Sequence, residues 1–187
     1  TSFPAVNPSA KVLRATWTFK TGTTNPWLRL TTASVANIPN PTLAQGQVFK
    51  FDIYTDKDLQ IALGVRETDT TAAFGADGGT TGTIEFVGAT GLAGTGPIPT
   101  RTVTARTWTT VEFNLPAEPA AAMTGNGILE SLTTGKGVLE QLAIVPAGGM
   151  GAYNVYLDNF VVAKATTFSL DAGAPSGAAI DGVTGAF

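Results

Sequence analysis

Hydrophobic and polar residues alternate along short segments of this 187-residue chain. Residues 47–55, QVFKFDIYT, place their large apolar side chains on one face, and Asp52 and Tyr54 on the other. The segment that follows, LQIALGVRE, repeats the pattern with Gln60 and Arg66 on its polar face. Because successive side chains of a β-strand point to opposite faces, this alternation predicts half-buried strands.

The period of two recurs elsewhere, and no window of helical length carries an apolar stripe with a period of 3.6 residues. Three further segments alternate in this way: 11–20, 26–32 and 106–115. Two more are apolar on both faces for part of their length, as central strands can be: 138–145 and 153–163. Many short antiparallel strands predict an all-β fold, either a sandwich or a barrel.

The connections between these segments are rich in Gly, Thr and Pro. Residues 68–82 and 88–99 are predicted to be long loops, and residues 56–58, DKD, a solvated hairpin turn. The helix candidates are residues 117–123 and 127–132, and Pro119 disfavours the first because proline interrupts helical hydrogen bonding.

Composition removes several classes of function. The chain has no Cys and no His, which excludes thiol nucleophiles, disulfides, Ser-His-Asp triads and nearly every zinc site. Its net charge is −3 with no run of Lys or Arg, so we expect neither nucleic acid nor an anionic membrane as a partner. No apolar run approaches the roughly 20 residues that a membrane-spanning helix needs.

Residues 12–164 carry a recognisable series of strands: QVFKFDIYT, then LQIALGVRET, then TWTTVEFNLP and a closing YNVYLDNFVV. This series resembles the jelly-roll carbohydrate-binding modules of bacterial polysaccharide-degrading proteins. The resemblance implies an antiparallel β-sandwich of jelly-roll type over residues 1–165. It also implies a secreted, non-catalytic module that binds a polysaccharide or oligosaccharide beside other domains of the same parent chain.

The end of the chain has a second resemblance. Residues 167–187 are similar to the opening of bacterial immunoglobulin- or cadherin-like repeats. The matching residues are Leu170, Ala174, Pro175, Gly177, Ile180, Asp181, Thr184, Gly185 and Phe187. This implies that residues 166–187 are a linker or the truncated start of such a repeat in an extracellular, modular protein. The chain begins at Thr1 without Met or a signal-like segment, so we expect it to be part of a longer chain.

A sugar site needs aromatic rings to stack on the sugar and polar side chains to bind its hydroxyl groups. Trp27 is the first candidate, because the alternation of its segment directs Trp27 and Arg29 away from the core. The alternatives are packing at a sheet edge for Trp27, and pairing with a carboxylate for Arg29.

The other candidates lie on the next two predicted strands. Tyr54 and Asp52 share a face, and so do Gln60 and Arg66. The small residues between Gln60 and Arg66 would leave a shallow floor for a sugar, although Arg66 could instead pair with the neighbouring Glu67. The remaining aromatic residues are expected to be structural: Trp17, Trp108, Tyr156 and Phe160.

Asp158 is the candidate metal ligand. It stands among aromatic and aliphatic residues in the closing strand, where a buried carboxylate needs a partner. In the resembled modules, the Asp at this place ligates a structural Ca²⁺, which would need further oxygen ligands from loops. The alternative is that Asp158 and Asn159 cap a turn or bulge.

Two other functions stay open at this point. One is a structural or adhesive sandwich that spaces domains of a cell-surface protein without binding sugar. The other is a glycosidase or lyase, which would need two carboxylates about 5 to 9 Å apart across a groove. Glu112, Glu140, Asp52 and Glu67 could supply such a pair, but nothing in their spacing joins them.

Overall fold

The computed structural model describes residues 11–31, 41–43, 46–67, 83–129 and 137–164. The predicted loop at 68–82 and the predicted repeat at 166–187 lie outside these ranges. The described residues form thirteen strands: β1 (Leu13–Phe19), β2 (Leu28–Thr31), β3 (Thr42–Leu43), β4 (Gln47–Thr55), β5 (Leu59–Arg66), β6 (Ile84–Val87), β7 (Ala89–Ala93), β8 (Gly96–Pro99), β9 (Arg101–Val103), β10 (Thr109–Asn114), β11 (Ala120–Ala122), β12 (Gly137–Pro146) and β13 (Gly151–Lys164).

The strands form two main sheets. The front sheet has the order β1-β13-β4-β10, and the back sheet has the order β11-β6-β5-β12-β2, with β3 also paired to β12 and β9 to β5. Neighbouring strands are antiparallel. The all-β antiparallel sandwich predicted from the alternation is confirmed.

The core fills the space between the two sheets. Phe49, Phe51 and Ile53 from the front sheet share one buried cluster with Ile61 and Leu63 from the back sheet. The period of two in the sequence therefore corresponds to the burial in β4, where every second residue is buried. Polar residues between them face outward, so each sheet has an outer face on which function can be placed.

Residues 88–99 form a β-hairpin rather than the predicted loop. Strands β7 and β8 pair with one another in a sheet of their own and turn at Gly94, whose φ of +62° suits glycine. Ala62, Phe86 and Ala143 are fully buried although they lie on the outer side of the back sheet, and they cluster with Ala89 of the hairpin. The hairpin therefore covers part of the back sheet's outer face.

The first predicted helix is absent. Residues 117–123 contain only the end of a single 3₁₀ turn, Leu115–Ala117, followed by β11, which pairs with β6. Pro119 lacks an amide donor, so the chain at this point forms an edge strand more readily than a helix. Residues 127–129 of the second helix candidate are not helical, and its remainder lies outside the described ranges. In the described part of the chain, no helix has the length and apolar character needed to cross a membrane.

The DKD segment does not form a hairpin turn, because it connects β4 of the front sheet to β5 of the back sheet. It is also anchored rather than merely solvated. Asp58 accepts a hydrogen bond from the amide of Ala105 at 2.7 Å, and both carboxylate oxygens of Asp56 accept bonds from Asn154 at 2.8 Å. These bonds fix the corner where the chain crosses between the sheets.

Candidate functional site

The six residues predicted to bind sugar lie on two opposite faces of the sandwich. Asp52 and Tyr54 belong to β4 of the front sheet, whereas Gln60 and Arg66 belong to β5 of the back sheet. Trp27 and Arg29 also lie at the back sheet, immediately before and within β2. Sequence alternation shows which residues face outward but not on which sheet they do so, and the six residues do not form one surface.

The two arginines of the back sheet converge on Glu140. Arg29 approaches this carboxylate at 3.0 Å, and Arg66 binds it through two nitrogens, each at 2.9 Å. A β-bulge between Leu139 and Gln141 places Glu140 outside the regular alternation of β12. For Arg29, pairing with a carboxylate was the expected alternative to sugar binding, and Glu140 is that carboxylate. Arg66 binds the same carboxylate.

Trp27 packs beneath the β7–β8 hairpin. Its ring meets Phe86 edge to face at a centroid distance of 5.5 Å, and its indole N–H donates to Thr95 at 3.2 Å. A small cleft of about 230 Å³ opens beside the ring, between Pro26, Pro97 and the end of β12. Trp27 is half-buried, and its contact with the hairpin corresponds to the packing alternative, while its predicted contact with a sugar stays a prediction.

The expected shallow floor beside Gln60 is covered. Gln141 lies over Gly64 so closely that a Cβ on Gly64 would be 2.3 Å from its Cγ. Ala62, the other small residue of this strand, is fully buried. A sugar therefore cannot approach the backbone of β5 here without displacing Gln141 or the hairpin.

The outer face of the front sheet carries a row of aromatic residues across its strands. Tyr54 of β4 lies opposite Tyr156 of β13, with ring centroids 6.0 Å apart. On its other side Tyr54 meets Trp108, just before β10, at 5.7 Å. Arg14 of β1 extends the row, since its guanidinium lies 5.9 Å from the centre of the Tyr156 ring. We call this the aromatic row: Arg14, Tyr156, Tyr54 and Trp108.

The members of the aromatic row differ in their exposure. Tyr156 is only 8% exposed, whereas Tyr54 and Trp108 are half-buried and Arg14 is exposed. The Nε1 atom of Trp108 is buried and has no hydrogen-bond partner among the described residues. What Trp108 presents to solvent is therefore carbon surface, which is the part of an indole that stacks.

Hydrogen-bonding side chains flank the aromatic row on both sides. Asp52 accepts bonds from Thr110 at 2.5 Å and from Asn159 at 2.7 Å. On the other side, Asn154 accepts a bond from Arg14 at 2.9 Å while it donates to Asp56. The front face thus combines partly exposed rings with fixed acceptors and donors beside them.

Asp158 lies at an irregularity in β13. The pairing with β4 shifts between Asp158 and Val161, and Asn159 has a φ of +51°. The amide of Asn159 donates to Asp158 at 2.8 Å, which is the contact expected of a residue that caps a bulge. No group of three or more acidic side chains able to hold a metal occurs in the described ranges, and the calcium site stays a prediction.

An apolar cavity of about 310 Å³ lies between the sheets. Leu30, Phe49, Leu157 and Phe160 contribute to its lining, and Phe160 stacks on Phe51 at 5.3 Å. Among the described residues that line it, none carries a charge, and these residues offer little to orient the many hydroxyl groups of a sugar. Phe160, which was expected in the core, is 47% exposed at this edge.

The sequence analysis assigned Trp108 and Tyr156 to structural packing. Tyr156 is buried, in agreement with that assignment, whereas Trp108 is half-buried and belongs to the candidate surface, which the sequence analysis did not include. The signal that could have found Trp108 is its position on the polar side of β10, two residues before Thr110. That signal becomes decisive only when β10 pairs with β4 in the observed register, which brings Trp108 beside Tyr54. Nothing in the sequences of β4 and β10 specifies this register.

Comparisons with known proteins add little to this geometry. No family model matches the chain, and no curated protein matches it. The chain is similar to a solved structure from Bacteroides thetaiotaomicron that is provisionally described as a sugar-binding protein. The two are 12% identical, the similarity covers 84% of this chain and 85% of that one, and the TM-score is 0.30. A likeness this distant carries no argument about function.

Proposed function

We propose that this chain is a non-catalytic carbohydrate-binding module that holds a polysaccharide or oligosaccharide against the outer face of the front sheet. The observation that carries the proposal is the aromatic row, in which Tyr54 and Trp108 present their rings on an uncovered part of the described surface. As the sequence resemblance implies, the module would act in a secreted bacterial protein with other domains.

Tyr54 and Trp108 leave part of their aromatic rings in contact with water. An aromatic ring is most useful for folding when it is buried, yet Tyr54 and Trp108 point away from the core between the sheets. Stacking on the apolar face of a sugar ring removes that surface from water without requiring a deep pocket.

Polar neighbours then supply the orientation. Sugar hydroxyl groups donate to carboxylates and amide oxygens, and accept from amide and guanidinium nitrogens. Asp52 and Asn154 stand beside the row, and Arg14 closes one end of it. Because they are fixed by bonds to neighbouring residues, little side-chain entropy is lost when a sugar binds them.

The proposal is tested by affinity electrophoresis of the full chain in gels that contain soluble polysaccharides, followed by calorimetry with the ligands that retard it. We expect dissociation constants of about 10 µM to 1 mM, as suits a few exposed contacts. Trp108→Ala should raise the dissociation constant by about tenfold, equivalent to about 1.4 kcal/mol. Tyr54→Ala should act in the same direction.

The matched control is Trp27→Ala, which removes an indole from the opposite face. It should lower the unfolding temperature and leave the dissociation constant unchanged. The proposal fails if no polysaccharide retards the chain, and that result would favour the structural or adhesive role. It also fails if Trp27→Ala abolishes binding while Trp108→Ala has no effect.

A further inference from the structure

The charges around the aromatic row limit the kind of glycan it can hold. Asp52 lies on one side of the row, and Asp56 lies on the other, bonded to Asn154. The hydrogen-bond donors on these carboxylates are Thr110 and Asn159 for Asp52, and Asn154 for Asp56. All three donors are uncharged, so they orient the carboxylates without cancelling their negative charge.

Two basic groups of this face leave the carboxylates uncancelled. Lys50 lies opposite Glu112 in the register of β4 and β10, so a negative charge accompanies this positive one. Arg14 stands at one end of the row, over the ring of Tyr156. Asp52 and Asp56 thus place a negative charge on each flank of the row, while Arg14 places a positive charge at one end.

The tilt of the rings is a second limit. Tyr54 is inclined by 50° to Trp108 and by 67° to Tyr156. Rings inclined in this way do not form a plane, so a flat crystalline surface cannot contact them together. A single chain can, because its successive sugar units are free to rotate about the bonds that join them.

From these observations, and on the basis of the proposed function, we infer that the ligand is a glycan without anionic groups, bound as a single chain along the aromatic row. The carboxylates of Asp52 and Asp56 repel uronate or sulfate groups, and the single positive charge of Arg14 at one end of the row does not offset both. The hydroxyl groups of a sugar can donate to Asp52 while its ring stacks on Tyr54 or Trp108. An anionic chain is thus the charge class that the flanks of the row oppose.

The test compares soluble polysaccharides of similar size in the same gels, at low salt: β-glucan, xylan and galactomannan as neutral chains, polygalacturonate as the anionic chain and chitosan as the cationic chain. We expect at least one neutral chain to bind tenfold or more tightly than polygalacturonate. Raising the NaCl concentration should narrow the difference between neutral and anionic chains, because salt screens exposed charges. Crystalline cellulose should not sediment the protein.

Charge variants separate electrostatic exclusion from poor fit. Asp52→Asn and Asp56→Asn should each improve binding of polygalacturonate relative to the neutral ligand by about twofold, the effect of one unit charge acting across about 8 Å of water. Thermal unfolding of each variant checks that the sandwich is intact. Using two variants on opposite flanks keeps the test valid if one of them fails to fold.

The outcomes distinguish this inference from the function on which it rests. Binding of polygalacturonate that is as tight as, or tighter than, that of every neutral chain and of chitosan would overturn the inference and leave the proposed function standing. Sedimentation with crystalline cellulose that is lost in Trp108→Ala would overturn the single-chain part. If no polysaccharide of any class binds, the proposed function itself fails.

Discussion

Tyr153 is the residue that joins the two sheets at their crossover corner. Its side chain is fully buried, its ring lies nearly parallel to Trp17 at a centroid distance of 5.7 Å, and its hydroxyl donates to the carbonyl of Gly149 at 2.7 Å. Burial raises the pKa of Tyr153, and the carboxylates of Asp56 and Asp58 act in the same direction.

This raised pKa predicts a loss of stability at alkaline pH. Above about pH 10 the unfolded chain releases the Tyr153 proton while the folded chain retains it. The folded state then binds more protons, so the free energy of unfolding falls as pH rises. The contribution is complete below about pH 10 and disappears as pH passes through the pKa of the folded state. Denaturant unfolding between pH 8 and pH 11 measures this decline.

The matched variant is Tyr153→Phe, which removes the hydroxyl group and keeps the ring. It should cost about 1 kcal/mol at pH 8 through the lost hydrogen bond to Gly149, and its stability should fall less steeply above pH 10. An equal alkaline decline in the variant and in the parent chain would show that other groups are responsible.

For single residues, the sequence predicts the direction of a side chain better than it predicts the partner of that side chain. Alternation placed Asp52 and Tyr54 outward, as observed, because strand geometry fixes the side of each residue. It did not reveal that Arg66 binds Glu140, since the bulge in β12 moves Glu140 out of the alternating pattern. A bulge depends on pairing with a neighbouring strand, which no local pattern records.

Among the described elements, the β7–β8 hairpin is the one that its own sequence predicts least well. Its residues are mostly Gly, Ala, Thr and Pro. They predict a loop because they supply little alternation of apolar and polar side chains. The same small side chains let the hairpin lie close to the back sheet, where Gly96 contacts Trp27. The small side chains that suggest a loop when the segment is considered alone are therefore the ones that allow the hairpin to pack closely on the sheet.

Two glycines of this hairpin give a matched pair of substitutions. A Cβ on Gly96 would lie 2.6 Å from Cδ1 of Trp27, whereas a Cβ on Gly91 would meet Cδ1 of Ile98 at an ordinary 3.7 Å. Gly96→Ala should therefore destabilise the chain by about 1 to 3 kcal/mol, the usual cost of overpacking, and Gly91→Ala should change stability little. Chemical denaturation of both variants measures this difference. Equal effects would mean that the hairpin does not pack on Trp27 as described.

The described part of the molecule presents two outer faces of different composition. Small residues and the hairpin cover part of the back face, while the front face displays rings and polar groups. The sequence predicts the sandwich well, because many separate strands each indicate it. It predicts the site less well, because the site depends on which strands share a sheet, and no single segment holds that information.

The predicted domain boundary at residues 165 and 166 can be tested on the whole molecule. If residues 166–187 begin a separate repeat, a chain that ends at residue 165 should keep every described strand and unfold within about 2 °C of the full chain, a shift below about 1 kcal/mol. Differential scanning calorimetry of the two chains measures this shift. A fall of more than about 5 °C would mean that the sandwich needs the terminal segment.

The separation of the two faces has a practical consequence for immobilising the protein. The chain contains no cysteine, and Thr90 is exposed on the β7 strand of the hairpin. Thr90→Cys would therefore introduce a unique thiol for coupling the protein to a bead or sensor chip. Attachment there would orient the molecule with its front face toward the solution, and a dye coupled at the same position would label the protein at a distance from the aromatic row.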